Sequence, residues 1–315
     1  MKVKSIKNLE GIVIRRRKYT GIRYSWDLLL LLLPALILLL VFSYGPMYGV
    51  LMAFKDYSSV KGIWNSPWVG LKHFQRFVTA NNFPTLLRNT LTISIYSLIA
   101  GFPLPIVFAL MLNKLKSKKF KGFTQTASYA PYFISTVVLV GMMRIFFAPE
   151  TGIVNNVIMS LGGSDFDFFA SGSAFKHLYV WSDVWKNIGW GSIIYVAALS
   201  NINPELYESA KVDGANTLKT ILHIDLPGIL PTIITLLILN TGNLMSVGFE
   251  KAYLMQTTLN TEFSEIISTY VYKVGIKGAQ FSFSTAVNTF NSIINCILLI
   301  IVNKVAQSTG ETSLW

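Results

Sequence analysis

The sequence predicts an all-α integral membrane protein built on six transmembrane helices. Three observations carry that prediction. Hydrophobic residues make up 52% of the 315-residue chain and charged residues only 13%, against ~25% charged in an ordinary soluble domain. Mean hydropathy is +0.50. Six segments approach the ~20 mainly apolar residues that a spanning helix needs, and lysine and arginine gather in alternate connections between them.

The first span is expected at residues 26–48. It follows a basic tail, residues 1–25, and its apolar run is longer than a signal-peptide core with no small-x-small cleavage site behind it. It therefore reads as an uncleaved span. The second is expected at 89–112, bent by Phe102-Pro103-Leu104-Pro105, because proline lacks an N–H and clashes with the preceding turn. The third is placed at 127–147 and the fourth at 178–199, whose first turns carry Ser182, Asp183, Lys186 and Asn187. The fifth is placed at 229–249 and the sixth at 283–303, giving one membrane domain over 26–304 and a short C-terminal tail over 305–315. Pro34, Gly101, Gly141 and Gly242 inside spans read as kinks and close-packing points.

Orientation follows from the cations. The tail holds Lys2, Lys4, Lys7, Arg15, Arg16, Arg17, Lys18 and Arg23, and the loop after the second span holds Lys114, Lys116, Lys118, Lys119 and Lys121. The positive-inside rule puts both in the cytoplasm; six crossings then put the 200–228 loop and both termini there too. The formal net charge of +12 needs no nucleic acid, since cytoplasmic lipid headgroups attract such segments. Arg144 and Asp27 read as interfacial charges near span ends.

The loop over about 200–228 is the most informative stretch. Asn203 is a good N-cap, Pro204 suits the first helical position and Glu205 the first turn. A short helix is expected from Pro204 to Asp213, stopped by Gly214 in a left-handed conformation. A second is expected over 216–223, with Pro227 beyond its end. An amphipathic linker would look similar.

Glu208-Ser209-Ala210, Gly214 and Ile224-Asp225-Leu226-Pro227 together resemble the EAA loop of ABC-importer permeases, with Ser209 in place of the usual second residue. Further elements resemble the carbohydrate-uptake group of those permeases. They are Trp68-Val69-Gly70-Leu71-Lys72-His73-Phe74, the run from Phe147 through Pro149 and Gly152 to Asn155, Trp185 to Gly189, and Asn201 to Tyr207. Ser43-Tyr44-Gly45-Pro46-Met47-Tyr48 resembles the oligosaccharide and polysaccharide branch.

The resemblance implies a type I ABC-importer permease-like bundle with a cytoplasmic loop that docks on an ATPase. The residues it assigns to that docking are Glu208, Ser209, Ala210, Asp213, Gly214, Ala215, Leu226 and Pro227. It further implies a second homologous permease subunit, an ATPase dimer that carries ATP and Mg, and an extracytoplasmic sugar-binding protein. No cofactor is expected on this chain.

A sugar path needs amides, hydroxyls and aromatic faces turned into the bundle, since polar groups facing lipid are costly. Asn240 and Asn243 on the fifth span, the i, i+3, i+7 stripe Asn288, Asn291, Asn295 on the sixth, and Tyr195 and Trp185 on the fourth are the candidates. The same amides would serve equally to join helices, and a tryptophan near a span end to anchor at the interface.

Other classes find little support. The chain has no G-x-x-x-x-G-K-[ST] loop and no G-x-S-x-G elbow. His73, His177 and His223 have no ligand spacing, and the lone Cys296 forms no intrachain disulfide. An ion-coupled secondary transporter of a polar solute is the alternative; it would lead one to expect inverted repeats and mid-membrane carboxylates.

Overall fold

The computed structural model describes residues 26–308, 313 and 314. The basic tail expected over 1–25, and most of the C-terminal tail, lie outside the described residues. The chain divides into two units, one ending at Leu51 and the other beginning at Met52. In the first, α1 (Trp26–Leu39) carries Pro34 internally and runs into a π turn, Leu40–Tyr44.

The second unit holds α2 (Phe83–Lys114), the pair α3 (Lys118–Phe133) and α4 (Thr136–Phe146), and α5 (Gly172–Ser200). After these come α6 (Pro204–Val212), α7 (Thr217–Thr241), α8 (Phe249–Met255) and α9 (Phe281–Ser308). Among the described residues there is no sheet; a single antiparallel bridge joins Lys55 to Trp68.

Four helices are long and apolar enough to cross a membrane, Leu29–Phe54, α2, α7 and α9, and the bent pair α3/α4 would make a fifth. The expected fourth span lies in α5, which has 29 residues but carries Lys176, Asp183 and Lys186 along it. Three other expectations are corrected. The third span is not one rod: it turns by 96° between α3 and α4. Pro131 sits in a 3-10 turn, Ile134 is extended, and Ser135 restarts the helix by accepting a hydrogen bond from Val138 N at 3.3 Å.

The fifth helix begins at Thr217, well before 229, and ends at Thr241, before 249. The short helix expected over 216–223 is its first part. A π turn, Ile221–Asp225, carries the backbone into Leu226 and Pro227. Proline cannot donate to the helical ladder, and the wider π register absorbs that loss without ending the helix. In α2 Pro103 and Pro105 donate no ladder bonds, yet the helix runs for 32 residues in all, Phe83–Lys114.

Helix α5 runs through the middle of this unit. Near one end Phe175, Tyr179 and Val180 pack with Ile93, Val140, Met143, Ala252 and Met255. At the other, Tyr195 and Leu199 pack with Ile106, Ala109 and Leu110 of α2 and Ile229 of α7. A third cluster joins Phe77 and Leu86 to Met245, Phe283 and Val287. Gly189 permits the closest approach: a Cβ there would lie 2.2 Å from the Ser128 carbonyl oxygen on α3.

Candidate functional site

The 200–228 loop folds as a knob whose turns are specified locally. The Asn203 Oδ1 accepts from Glu205 N at 3.0 Å and caps α6. At its other end Ala215 N donates to Ala210 O at 2.8 Å and Gly214 N to Lys211 O at 3.2 Å. These are the two bonds of a Schellman cap, and Gly214 holds the φ of +71° that the cap requires. Asn216 Oδ1 then accepts from Lys219 N at 2.9 Å and starts α7.

Glu208, Ser209, Asp213 and Gly214 are exposed, and so is Pro227; Ala210, Ala215 and Leu226 are half-buried. Leu206, Val212, Leu218 and Leu222 are exposed apolar residues on the same knob, Val212 at 87%.

Beneath the knob lies a polar cluster that sequence reasoning did not pick out. The Asp225 carboxylate is fully buried and pairs with Lys114 Nζ at 2.5 Å. Tyr207 OH donates to Asp225 Oδ1 at 2.6 Å, and Asn113 Nδ2 approaches the same oxygen at 3.4 Å. Lys114 Nζ also stands 5.1 Å from the Tyr207 ring centroid. Burial pushes the Tyr207 phenol up to about 12, with the Asp225 hydrogen bond and charge acting in the same direction, so the hydroxyl is a donor at neutral pH. In the sequence Asp225 was one residue of the Ile224-Asp225-Leu226-Pro227 run and Tyr207 the last of the Asn201 to Tyr207 element, and neither carried a role of its own.

A cavity of about 490 Å³ lies between α2, α5 and the end of α7. Asn240, Asn243 and Tyr195 line it, together with Ser94, Ser97, Asp183, Asn187 and Ser246. The Asn240 and Asn243 amides each donate one N–H to the carbonyl four residues back, at 2.7 and 3.1 Å, which leaves further polar capacity. Asn243 lies past the helix end, in the turn after Thr241. Asp183 accepts from the buried Lys251 Nζ at 2.8 Å, and the same ammonium donates to Tyr179 O at 2.6 Å. Asp183 and Asn187, which made the fourth span polar, therefore face this cavity.

The sixth-helix stripe goes elsewhere. Asn291 Nδ2 donates to Met245 O at 3.2 Å, while Asn295 accepts from Met245 N at 2.8 Å and donates to Ser246 Oγ at 2.9 Å. The two amides hold the chain where α7 has ended and its backbone groups lack helical partners. Asn288 is exposed on α9. Trp185 lines a separate apolar hollow of about 570 Å³ with Met142, Phe146, Phe168 and Trp181. Among the described residues no group of three His, Cys, Asp or Glu could hold a metal ion.

The outer elements noted in the sequence are also built structures. Gly70 has a φ of +61° and follows the Trp68 ring stacked on Phe54 at 5.8 Å. Asn155 is fully buried and clamps its loop: Nδ2 donates to Ala148 O and Phe166 O, and Oδ1 accepts from Phe166 N. A Cβ at Gly152 would meet the Ala148 carbonyl oxygen at 2.5 Å.

Comparison with known proteins agrees with this geometry. Residues 101–307 match the model of the binding-protein-dependent transport system inner membrane component family. The chain is 42% identical to the protein LplB of Bacillus subtilis over 293 residues, covering 93% of this chain and 92% of that one. It is also 42% identical to YteP of the same organism, a polygalacturonan/rhamnogalacturonan transport system permease protein, covering 91% and 90%. A solved bacterial ABC transporter involved in import of the acidic polysaccharide alginate superposes with a TM-score of 0.84 at 38% identity, over 93% of this chain and 99% of that one. A second structure, the alginate transporter with its pentasaccharide-bound periplasmic protein, gives 0.85 over 95% and 100%.

Proposed function

We propose, because this chain belongs to the family of binding-protein-dependent transport system inner membrane components, that it is the permease subunit of an ATP-driven ABC importer of carbohydrate, taking an oligosaccharide. The observation that carries this reading is the knob: a short capped helix presenting Glu208 beside exposed Leu206 and Val212. Exposed apolar groups rimmed by charge mark docking sites. The knob docks on an ATPase subunit through Glu208, Ser209, Ala210, Asp213, Gly214 and Ala215, with Leu226 and Pro227 fixing its root. ATP and Mg bind that partner, and no cofactor is assigned to this chain.

The sugar path runs past Asn240, Asn243 and Tyr195, with Asp183 and Asn187 as further polar contacts; Asn291 and Asn295 hold the wall at Met245. Six crossings are made by α1, α2, the α3/α4 pair, α5, α7 and α9, with both termini and the knob cytoplasmic. A second, homologous permease completes the path, and an extracytoplasmic binding protein delivers the sugar. ATP-driven closure of the ATPase pair draws the knobs together and rocks the bundles between inward-open and outward-open states, a rigid-body change with no chemical step on this chain. The sugars in the relatives' names support a polysaccharide fragment as cargo.

The test is a detergent pull-down of tagged chain, wild type against Glu208→Lys, with co-purifying subunits identified by mass. The expected result is an ATPase and a second permease with wild type, and much less ATPase with the variant. Wild-type chain that purifies without an ATPase would refute the proposal.

A further inference from the structure

One buried carboxylate ties the knob to two long helices. Asp225 is fully buried at the last position of the π turn in α7. It receives Lys114 from the end of α2 at 2.5 Å and the Tyr207 hydroxyl from α6 at 2.6 Å. Apolar packing surrounds it: Leu226 and Ile221 join the cluster of Ile106, Ala109 and Leu110. Apolar contacts alone are non-directional and let helices slide. A buried charge cluster does not slide freely, because separating its members leaves a charge unpaired away from water.

The two long helices that meet at Asp225 are also two walls of the cavity. α2 contributes Ser94 to Pro105 and the α7 end contributes Leu236 to Leu244.

We infer that the Asp225–Lys114–Tyr207 cluster is the joint through which movement of the knob is delivered to α2 and α7 together. Asp225 acts as a positioning residue: it touches neither nucleotide nor sugar, and it makes α6, α2 and α7 move as one body. This rests on the reading of α6 as the ATPase-docking helix.

The experiment uses the complete complex, reconstituted in proteoliposomes with its binding protein, and reads sugar molecules imported per ATP hydrolysed. Asp225→Asn, Lys114→Met and Tyr207→Phe are compared with the exchange pair Lys114→Asp with Asp225→Lys. The single variants are expected to retain the ATPase on purification while the import-to-hydrolysis ratio falls by about fivefold or more, within the range of coupling seen for residues in one network. The exchange pair is expected to recover most of the ratio, which a loss of folding would not do.

Tyr207→Phe removes one hydrogen bond and no charge, so it keeps the test open if Asp225→Asn fails to assemble. An unchanged ratio in Tyr207→Phe, or in Asp225→Asn where it assembles, with ATPase bound, would overturn the joint and leave the importer reading intact. Failure of the wild-type chain to retain an ATPase would instead overturn the docking role, and the joint with it.

Discussion

Replacing Gly214 in series separates a conformational role from a contact role. Its φ is +71° and an added Cβ would meet nothing within 4 Å, so sterics are not at issue. For alanine the cost is the left-handed backbone itself, about 1–2 kcal/mol. At 1.4 kcal/mol per factor of ten, that is about 5- to 30-fold in the population of the intact Schellman turn. Asparagine tolerates this region and should cost only a fraction as much.

Proline is fixed near −65° and has no N–H, so it loses both the turn and the Gly214 to Lys211 bond. The expected order of ATPase retention at limiting ATPase is glycine, then asparagine, then alanine, then proline. Equal amounts of chain in the membrane fraction control for insertion. If asparagine is as damaging as proline, or if alanine and proline both match wild type, the left-handed turn is not what positions the knob.

Three further outcomes follow from packing and polarity. Gly189→Leu forces a side chain into the Ser128 carbonyl, 2.2 Å from the Cβ position; overpacking costs about 1–3 kcal/mol or more, and the purified complex should melt several degrees lower, whereas Gly122→Ala, with open space around it, should not. Asn291→Leu strips the Met245 carbonyl of its partner, a loss of about 1–3 kcal/mol at a buried site, read as lower thermal stability with uptake KM little changed. Asn240→Ala with Asp183→Asn should raise the KM for sugar uptake about tenfold or more if both line the path, since a lost hydrogen bond to a charged group is worth about 1.5–3 kcal/mol; an unchanged dose-response would move the path elsewhere.

How much of this was legible depended on how local the cause was. Asn203 and Gly214 were readable because caps and left-handed turns are decided within four residues. The ends of α7 were not, because a hydropathy window sees burial in lipid and not the ladder. Polar Thr217 to Asp225 continues the same helix, and Gly242 ends it inside an apolar run. The asparagine stripe was visible as a stripe. Its partner, the backbone of Met245, exists only because α7 stops where it does, so no one-helix argument could find it. Asp225 was hidden for a similar reason: its meaning comes from Lys114, distant in sequence. Asn155 shows the reverse, a family-like signal whose role here is to satisfy a loop's own backbone.

The number of crossings can be argued from the same ion pair. Lys114 ends α2 and Asp225 opens the apolar part of α7, and 2.5 Å separates their charged atoms; both ends lie on one side of the membrane. The chain between them must therefore cross an even number of times. α5, with 29 residues, is about 43 Å long at 1.5 Å per residue and exceeds the ~30 Å hydrocarbon core. Its Tyr195 end packs with Leu110 of α2, one turn before Lys114, and its Phe175 end packs with Met255 in a separate cluster. If α5 crosses, α3/α4 must cross too.

Their 96° bend allows it. With each arm tilted about 48°, roughly 24 Å and 16 Å of helix project to about 27 Å, close to the core thickness. In a Cys296→Ser background, Ser117→Cys and Ser209→Cys should react with impermeant maleimide only from the cytoplasmic face, and Ser164→Cys only from the outer face. Ser164→Cys reacting from the cytoplasmic face would make α3/α4 a re-entrant hairpin. With Lys114 and Asp225 held on one side by their ion pair, α5 would then not cross either, and the count of six would fall.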